Sequence, residues 1–138
     1  MLTFPDFHAL EHPIKQEDID YYLSFQPTTK PSKPIAYIFG HGLWNDLDKD
    51  RTFLWYDQLL DATIAHAPYL AELDAVWPRL AITPNAAGEK KPDIFIARQG
   101  NIALARFERV VGGWARARGM DHLGTWNMSI QSTSPDGT

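Results

Sequence analysis

The chain has 138 residues, 44% of them hydrophobic and 22% charged, which is typical of a single globular domain with a sizeable core. The formal net charge of −4 argues against nucleic acid as a partner, and the absence of cysteine excludes disulfides and thiolate metal sites. No segment approaches the roughly 18 apolar residues that a membrane span needs. Residues 1–6 lack the basic and apolar regions of a signal peptide.

Residues 1–33 are the least regular segment, and two interpretations of it stay open. Residues 21–25 (Tyr-Tyr-Leu-Ser-Phe) have the composition of a short strand, whereas Asp18 could instead cap a brief helical turn. Residues 28–34 predict a loop by their proline, threonine and lysine content. Residues 35–39 (Ile-Ala-Tyr-Ile-Phe) are short and apolar enough to predict a strand that is buried on both faces.

A first helix is predicted from Asp48 to about Ala67, because large apolar residues recur there at helical spacing. They are Phe53, Tyr56, Leu60 and Ile64. Asp48 or Asp50 can cap this helix, and Pro68 helps to end it.

The second half of the chain continues the alternation of strand and helix. Residues 79–83 predict a buried strand, residues 84–93 a loop that leads to a local apolar patch at 94–96, residues 99–118 a helix, and residues 123–129 a third strand. The expected inner face of the helix consists of Ala103, Phe107, Val110, Val111 and Trp114. Its two consecutive glycines, Gly112 and Gly113, weaken it by about 1 kcal/mol each, which predicts close packing at that point.

The order strand, helix, strand, helix, strand predicts an α/β fold with a parallel sheet and right-handed crossovers. Three strands and two helices make a small sheet with incomplete cover, so we expect residues 1–138 to be one partial domain. The arginines of the second helix are interpreted as a solvated face rather than a nucleic-acid surface. They are Arg106, Arg109, Arg116 and Arg118.

The segment after the first strand, residues 40–48 (Gly-His-Gly-Leu-Trp-Asn-Asp-Leu-Asp), is the strongest candidate site. Ligands of open α/β sheets bind at the carboxyl ends of the strands, and glycines allow a close approach of the backbone. Asn45 could donate to a developing oxyanion, a contribution worth roughly 3 kcal/mol. The alternative is that Asn45 and Asp46 cap turns while His41 bonds to backbone. A metal site of His41, Asp46 and Asp48 is disfavoured, because no second histidine is near in sequence.

The other histidines and the serines are better explained by structure. His8 and His12 are four residues apart, but Pro5 and Pro13 flank them and disfavour a helical metal site. His66 suits a helix C-terminus, and His122 is interpreted as a surface or packing residue. The serines of the last ten residues lack any activating context and are interpreted as strand-end and turn residues. They are Ser129, Ser132 and Ser134.

Three segments together resemble the SGNH (GDSL-like) hydrolase superfamily, most closely its PC-esterase-type branch and uncharacterised fungal proteins of that kind. They are residues 40–46, residues 83–86 (Thr-Pro-Asn-Ala), and residues 126–129 (Trp-Asn-Met-Ser) running on to 134–138 (Ser-Pro-Asp-Gly-Thr). The resemblance covers about 100 residues from Pro34 onward. It implies a three-layer, flavodoxin-like parallel sheet, of which this chain would hold an incomplete part.

The resemblance also implies site residues and an activity. Asn45 matches the family's oxyanion asparagine, with Gly42 and His41 beside it, and Asp136 matches the aspartate that orients a catalytic histidine. That histidine would follow Thr138, and the sequence contains no Gly-Asp-Ser block for the nucleophile. The family acts as serine esterases or O-acetyltransferases on small-molecule or carbohydrate acyl esters.

We therefore expect this chain to be related to ester-processing enzymes and to turn over no ester itself. We also expect no cofactor and no metal. The alternative is a non-catalytic binding or structural α/β module. Relatives often belong to the secretory pathway, and the compartment of this chain stays undetermined by its residues.

Overall fold

The computed structural model describes residues 12–72, 77–87 and 91–132. In these ranges three strands and five α-helices follow one another. The strands are β1 (Tyr37–Gly40), β2 (Arg79–Ile82) and β3 (Asp121–Leu123). The helices are α1 (Gln16–Leu23), α2 (Lys49–His66), α3 (Asp93–Gln99), α4 (Asn101–Ala117) and α5 (Thr125–Ser132). Short 3-10 turns lie at Leu43–Asn45 and Pro68–Ala71.

The three strands form one parallel sheet in the order β1-β2-β3. Neighbouring strands are consecutive in the chain, so the two crossovers run in the same direction, and right-handed crossovers then place α2 and α4 on the same face. The two helices pack against each other there. The predicted α/β class and the parallel sheet are confirmed.

The two faces of the sheet differ in cover, which corrects the prediction that the first strand is buried on both faces. Tyr37 and Phe39 are buried on the helix side, whereas Ile38 between them is 58% exposed. Side chains alternate along a strand, and both helices lie on one side, so the opposite side keeps its apolar residues partly exposed. The composition of residues 35–39 indicates that the strand is apolar. It does not indicate which face of the strand the helices cover.

The predicted third strand is wrong over most of its length. β3 covers only Asp121–Leu123, and the residues from Thr125 onward form α5. The reason is a tertiary contact at the start of α5. The Glu108 carboxylate of α4 accepts hydrogen bonds from the backbone N–H groups of Trp126 at 2.9 Å and Asn127 at 3.4 Å. These N–H groups have no partner inside their own helix.

Two further helices also differ from the predictions. Residues 84–96, predicted to be a loop with an apolar patch, contain the first residues of α3. Residues 1–33, for which the sequence leaves two interpretations open, contain α1, and Asp18 lies in its first turn and not at its cap. Gly100 joins α3 to α4 at a close approach, since a Cβ there would lie 2.3 Å from the carbonyl oxygen of Ile96. The long helix predicted from 99 to 118 is therefore shortened to α4.

The core lies between the sheet and the helix pair. Helix α2 begins after Asp48, whose side chain accepts from the N–H of Arg51 at 3.0 Å, as predicted for one of the two candidate caps. Its buried stripe turns slightly away from the predicted one: Phe53 and Ile64 are half-buried. The buried residues of α2 are Thr52, Trp55, Tyr56, Leu59, Leu60 and Thr63, and those of α4 are Leu104, Phe107, Val111, Gly112 and Ala115.

A pair of leucines in α2 tests this core. Leu59 is 7% exposed within the core, and Leu54 on the same helix is 50% exposed. We expect Leu59→Ala to lower the free energy of unfolding by about 2–5 kcal/mol, because it removes buried methyl groups and leaves a cavity. Leu54→Ala should lower it by less than about 1 kcal/mol. Urea denaturation of both variants measures this, and equal losses would contradict the described core.

Candidate functional site

The carboxyl edge of the sheet brings together residues that are far apart in the chain. The last paired row consists of Gly40, Ile82 and Leu123. One residue further on come His41, Thr83 and Gly124, which belong by alternation to the face that the helices cover. Ligands of open α/β sheets bind at this edge.

His41 lies beneath α2 at this edge. It is 7% exposed, and its Nδ1 is 3.0 Å from the hydroxyl of Thr52, which is itself fully buried. The imidazole also stacks on the indole of Trp55, with ring centroids 4.5 Å apart and planes at 27°. His41 is thus held in position by two residues of α2.

Asn45 lies in the loop above His41 and is engaged by the loop itself. Its Nδ2 lies 3.1 Å from the hydroxyl of Thr52, 3.2 Å from the carbonyl oxygen of Asp48 and 3.4 Å from Nδ1 of His41. A side-chain amide has only two hydrogens, so these partners use them both. Its Oδ1, in contrast, is buried and has no hydrogen-bond partner among the residues that the structure describes. Donation to a substrate oxygen requires Asn45 to give up one loop acceptor.

The backbone of this loop is strained and is closed by hydrogen bonds. Asp46 and Leu47 have φ values of +55° and +59°, and the N–H of Leu47 donates to the carbonyl of Gly42 at 2.8 Å. Left-handed residues other than glycine cost on the order of 1–3 kcal/mol each, and such strain concentrates at functional loops. Gly42 itself has φ +139°, and a Cβ there would lie 2.7 Å from the ring of Phe107.

Helix α3 holds the strained loop from outside. Gln99 donates to the carbonyl of Leu43 at 2.9 Å and to the carboxylate of Asp46 at 2.8 Å, and Arg98 pairs with the same carboxylate at 3.2 Å. Asp46 is therefore committed to α3, and Asp48 to the cap of α2. Within residues 12–72, 77–87 and 91–132, no three histidine or acidic side chains are grouped to hold a metal ion.

A second polar cluster lies beside the first, at the ends of β2 and β3. The hydroxyl of Thr83 is 3.2 Å from Oε2 of Glu108 and 3.2 Å from Nε2 of His122. When Thr83 donates to the carboxylate, its oxygen accepts from the imidazole, which sets the tautomer of His122. The hydroxyl of Thr125 donates in turn to the carbonyl of Thr83.

Two glycines make room for this cluster. A Cβ on Gly112 would lie 2.5 Å from Nδ1 of His122, and one on Gly124 would lie 2.6 Å from Oε1 of Glu108. Close packing is predicted at both Gly112 and Gly113. It is confirmed for Gly112, whereas Gly113 has no atom of the described residues within 4 Å of its Cβ position.

The pKa of His122 is lowered by burial. The charge of Glu108 raises this pKa, and the charge of Arg116 lowers it further.

The structure brings together His41, Gly42 and Asn45 of the predicted site residues. Asp136 and Ser134 lie outside the described residues, as does His8. Ser129 donates to the carbonyl of Thr125 at 2.6 Å, and Ser132 to that of Ser129 at 2.9 Å. His66 ends α2 as expected, with its Nε2 3.1 Å from the carbonyl of Gln26.

Four further residues of these clusters do not stand out from sequence patterns as site residues: Thr52, Thr83, Glu108 and His122. One signal was available for Thr83, because it directly follows the second strand of the sheet as His41 directly follows the first. Another was available for Glu108, the only acidic residue of α4. His122 was interpreted as a surface or packing residue, and it is a half-buried member of the polar cluster.

The two clusters can orient imidazoles, but their hydroxyls are poorly placed as nucleophiles. Thr52 is fully buried and Thr83 is 2% exposed, and each is already hydrogen-bonded. A nucleophile must reach the substrate, so neither hydroxyl is placed to attack one.

In comparisons with known proteins, no family model matches the chain, and no curated protein or solved structure matches it either. None of the helices in the described ranges has the length and apolarity to cross a membrane.

The adjacent glycines of α4 provide a matched pair of substitutions. We expect Gly113→Ala to raise the free energy of unfolding by about 0.5–1 kcal/mol, through helix propensity. Gly112→Ala should lower it by about 1–3 kcal/mol, because the new methyl group displaces the ring of His122. Urea denaturation measures both, and a stabilised Gly112→Ala protein would contradict the contact.

The pKa of His122 makes stability depend on pH. Because its folded pKa lies below the usual 6.5, the unfolded chain binds the proton more readily. The free energy of unfolding should then fall as the pH is lowered from 6.5 through the folded pKa. His122→Gln should remove this part of the slope. An NMR titration of the ring with its midpoint at or above 6.5 would contradict the prediction.

Proposed function

We propose that this chain supplies the oxyanion and positioning part of an SGNH-type acyl-ester site, of the esterase or O-acetyltransferase kind. The observation that carries the proposal is the loop at residues 42–48. It follows β1 at the carboxyl edge of a parallel sheet, keeps two residues in left-handed conformation and is held by α3. Loops of this kind are where α/β proteins place ligand-binding groups.

The strand order supports the same proposal. In the flavodoxin-like order 2-1-3-4-5, the third, fourth and fifth strands are neighbours in chain order. We assign β1, β2 and β3 to those positions, since they too are consecutive, parallel neighbours. Asn45 then follows the third strand of that fold.

Asn45 is the proposed donor to the substrate oxygen. An acyl oxygen that enters the loop replaces the carbonyl of Asp48 as acceptor of one amide hydrogen, while the bond to Thr52 keeps the amide in place. A donor aimed at a developing oxyanion contributes roughly 3 kcal/mol to the transition state. Gly42 and His41 shape the floor below it, and Asp136 keeps the orienting role that the resemblance implies. The substrate class is an acyl ester of a small molecule or carbohydrate.

We further propose that this chain alone does not turn over esters. Its sequence has no Gly-Asp-Ser block. The hydroxyls of Ser129 and Ser132 donate to backbone carbonyls, and the two threonine hydroxyls beside histidines are buried. Attack on an acyl carbon needs an exposed hydroxyl next to a base.

A second candidate function is a non-catalytic binding or structural module. The observation that favours it is the saturation of the loop's donors, since both amide hydrogens of Asn45 already have acceptors. In this case the loop stabilises the edge of the sheet and binds no ester.

One titration separates the two candidates. With 6-O-acetylglucose as the probe, we expect the side-chain amide NMR signals of Asn45 to shift, because the acetyl oxygen exchanges with the Asp48 carbonyl. Glucose should leave them unchanged. In the variants, binding is followed by the acetyl methyl signal of the ligand. Asn45→Ala should abolish binding, and Asn127→Ala, at an exposed position, should not.

The same samples report turnover through released acetate. The amount of acetate released in the presence of the protein should equal the amount released in buffer alone. Absence of any shift with 6-O-acetylglucose would overturn the ester site in favour of the structural module. Acetate release that depends on Asn45 would overturn the proposed lack of turnover.

A further inference from the structure

A groove of about 420 Å³ lies between α4 and α5, on a side of α4 away from the core. This volume falls within the range of about 300–1,000 Å³ that is usual for small-molecule sites. The lining residues come from one stripe of α4 and the start of α5. They are Asn101, Ile102, Ala105, Arg106, Arg109 and Trp126.

The apolar part of the groove is held in a fixed position. The indole Nε1–H of Trp126 donates to Oδ1 of Asn101 at 3.2 Å, and the backbone N–H of Trp126 donates to Glu108 at 2.9 Å. Asn101 is held in turn by the N–H of Ala87 at 2.8 Å. Ile102, which also lines the groove, is 79% exposed. A ligand therefore meets an indole ring that its hydrogen bonds already hold in place.

The polar part of the groove carries two positive charges, from Arg106 and Arg109. Arg106 and Arg109 are three residues apart on α4, which makes them neighbours on the helix surface. Neither forms an ion pair with any residue in the described ranges, whereas Arg98 and Arg118 pair with Asp46 and Asp57. Among the described residues, no acidic side chain lines the groove. Two guanidiniums without an ion-pair partner in that part of the chain form a local site for an oxyanion, in a protein of net charge −4.

The length of the groove limits what can occupy it. The lining stripe runs from Asn101 to Arg109, which is about 12 Å at 1.5 Å per residue. A planar ring system that carries one anionic group fits this span, with the ring on the indole and the anion between the guanidiniums.

We propose that the groove binds a small organic anion, a carboxylate or phosphate on an aromatic or similarly flat apolar body. The groove is formed by α4 and α5 and shares no residue with the loop at residues 42–48, so this proposal does not rest on the ester site.

The test is an NMR titration that follows the indole N–H signal of Trp126. The probes are 2-naphthoate and 2-naphthyl phosphate, with neutral 2-naphthylmethanol and inorganic phosphate as their two halves. We expect at least one naphthyl anion to bind about tenfold more tightly than either half, because charge-assisted hydrogen bonds and ring contact act together. The tighter anion identifies the headgroup.

Arginine variants of α4 locate the site. Arg106→Gln and Arg109→Gln should each weaken binding of that anion about fivefold, through loss of one charge-assisted contact. Arg116→Gln is the matched control, since it removes the same charge from the same helix outside the groove. All three positions are exposed, so folding should be unaffected.

Three outcomes would overturn the proposal. They are no shift of the Trp126 signal with either naphthyl anion, equal affinity for 2-naphthylmethanol, and equal weakening by Arg116→Gln. Signals of Asn45 should stay unchanged in this titration, which keeps the result separate from the ester experiment.

Discussion

The carboxylate of Glu108 is the group on which most of the described arrangement depends. It joins the end of β2 through Thr83 to the first turn of α5 through two backbone N–H groups. A carboxylate at a helix N-terminus accepts donors that lack partners and interacts favourably with the helix dipole. Gly124 leaves the space that the carboxylate occupies. Without Glu108, the first turn of α5 would lose the acceptor for its two N–H groups.

The same carboxylate connects the second polar cluster to the groove. On the side of the sheet it orders Thr83, and thereby His122, at the carboxyl edge. On the outer side it fixes the backbone of Trp126, whose ring forms one wall of the groove. Helix α4 accordingly has three surfaces: an apolar stripe in the core, the polar side that carries Glu108 and Gly112, and the outer stripe that carries Arg106 and Arg109.

The loop at residues 42–48 depends on an element that local patterns did not predict. Its left-handed residues are unfavourable by themselves, and α3 compensates with bonds from Arg98 and Gln99. Those contacts span more than fifty residues of sequence. The loop therefore keeps its shape through tertiary contacts, as strained functional loops generally do.

The sequence by itself determined the α/β class, the parallel sheet and a capping aspartate at Asp48 or Asp50, of which the structure uses Asp48. These features follow from local periodicity and from a side chain that reaches only three residues along the chain. It also located His41, Gly42 and Asn45 at a strand end, because a strand and its following loop are adjacent in the chain.

Only the tertiary structure decided that the residues from Thr125 onward form a helix, because their capping carboxylate comes from another helix. Only the tertiary structure decided that both amide hydrogens of Asn45 are engaged. It also decided that Arg98 and Arg118 have acidic partners, whereas Arg106 and Arg109 have none among the described residues. Each of these features depends on which distant groups meet. Hydrogen bonds and ion pairs act over a few ångströms in space, and a linear pattern does not record that distance.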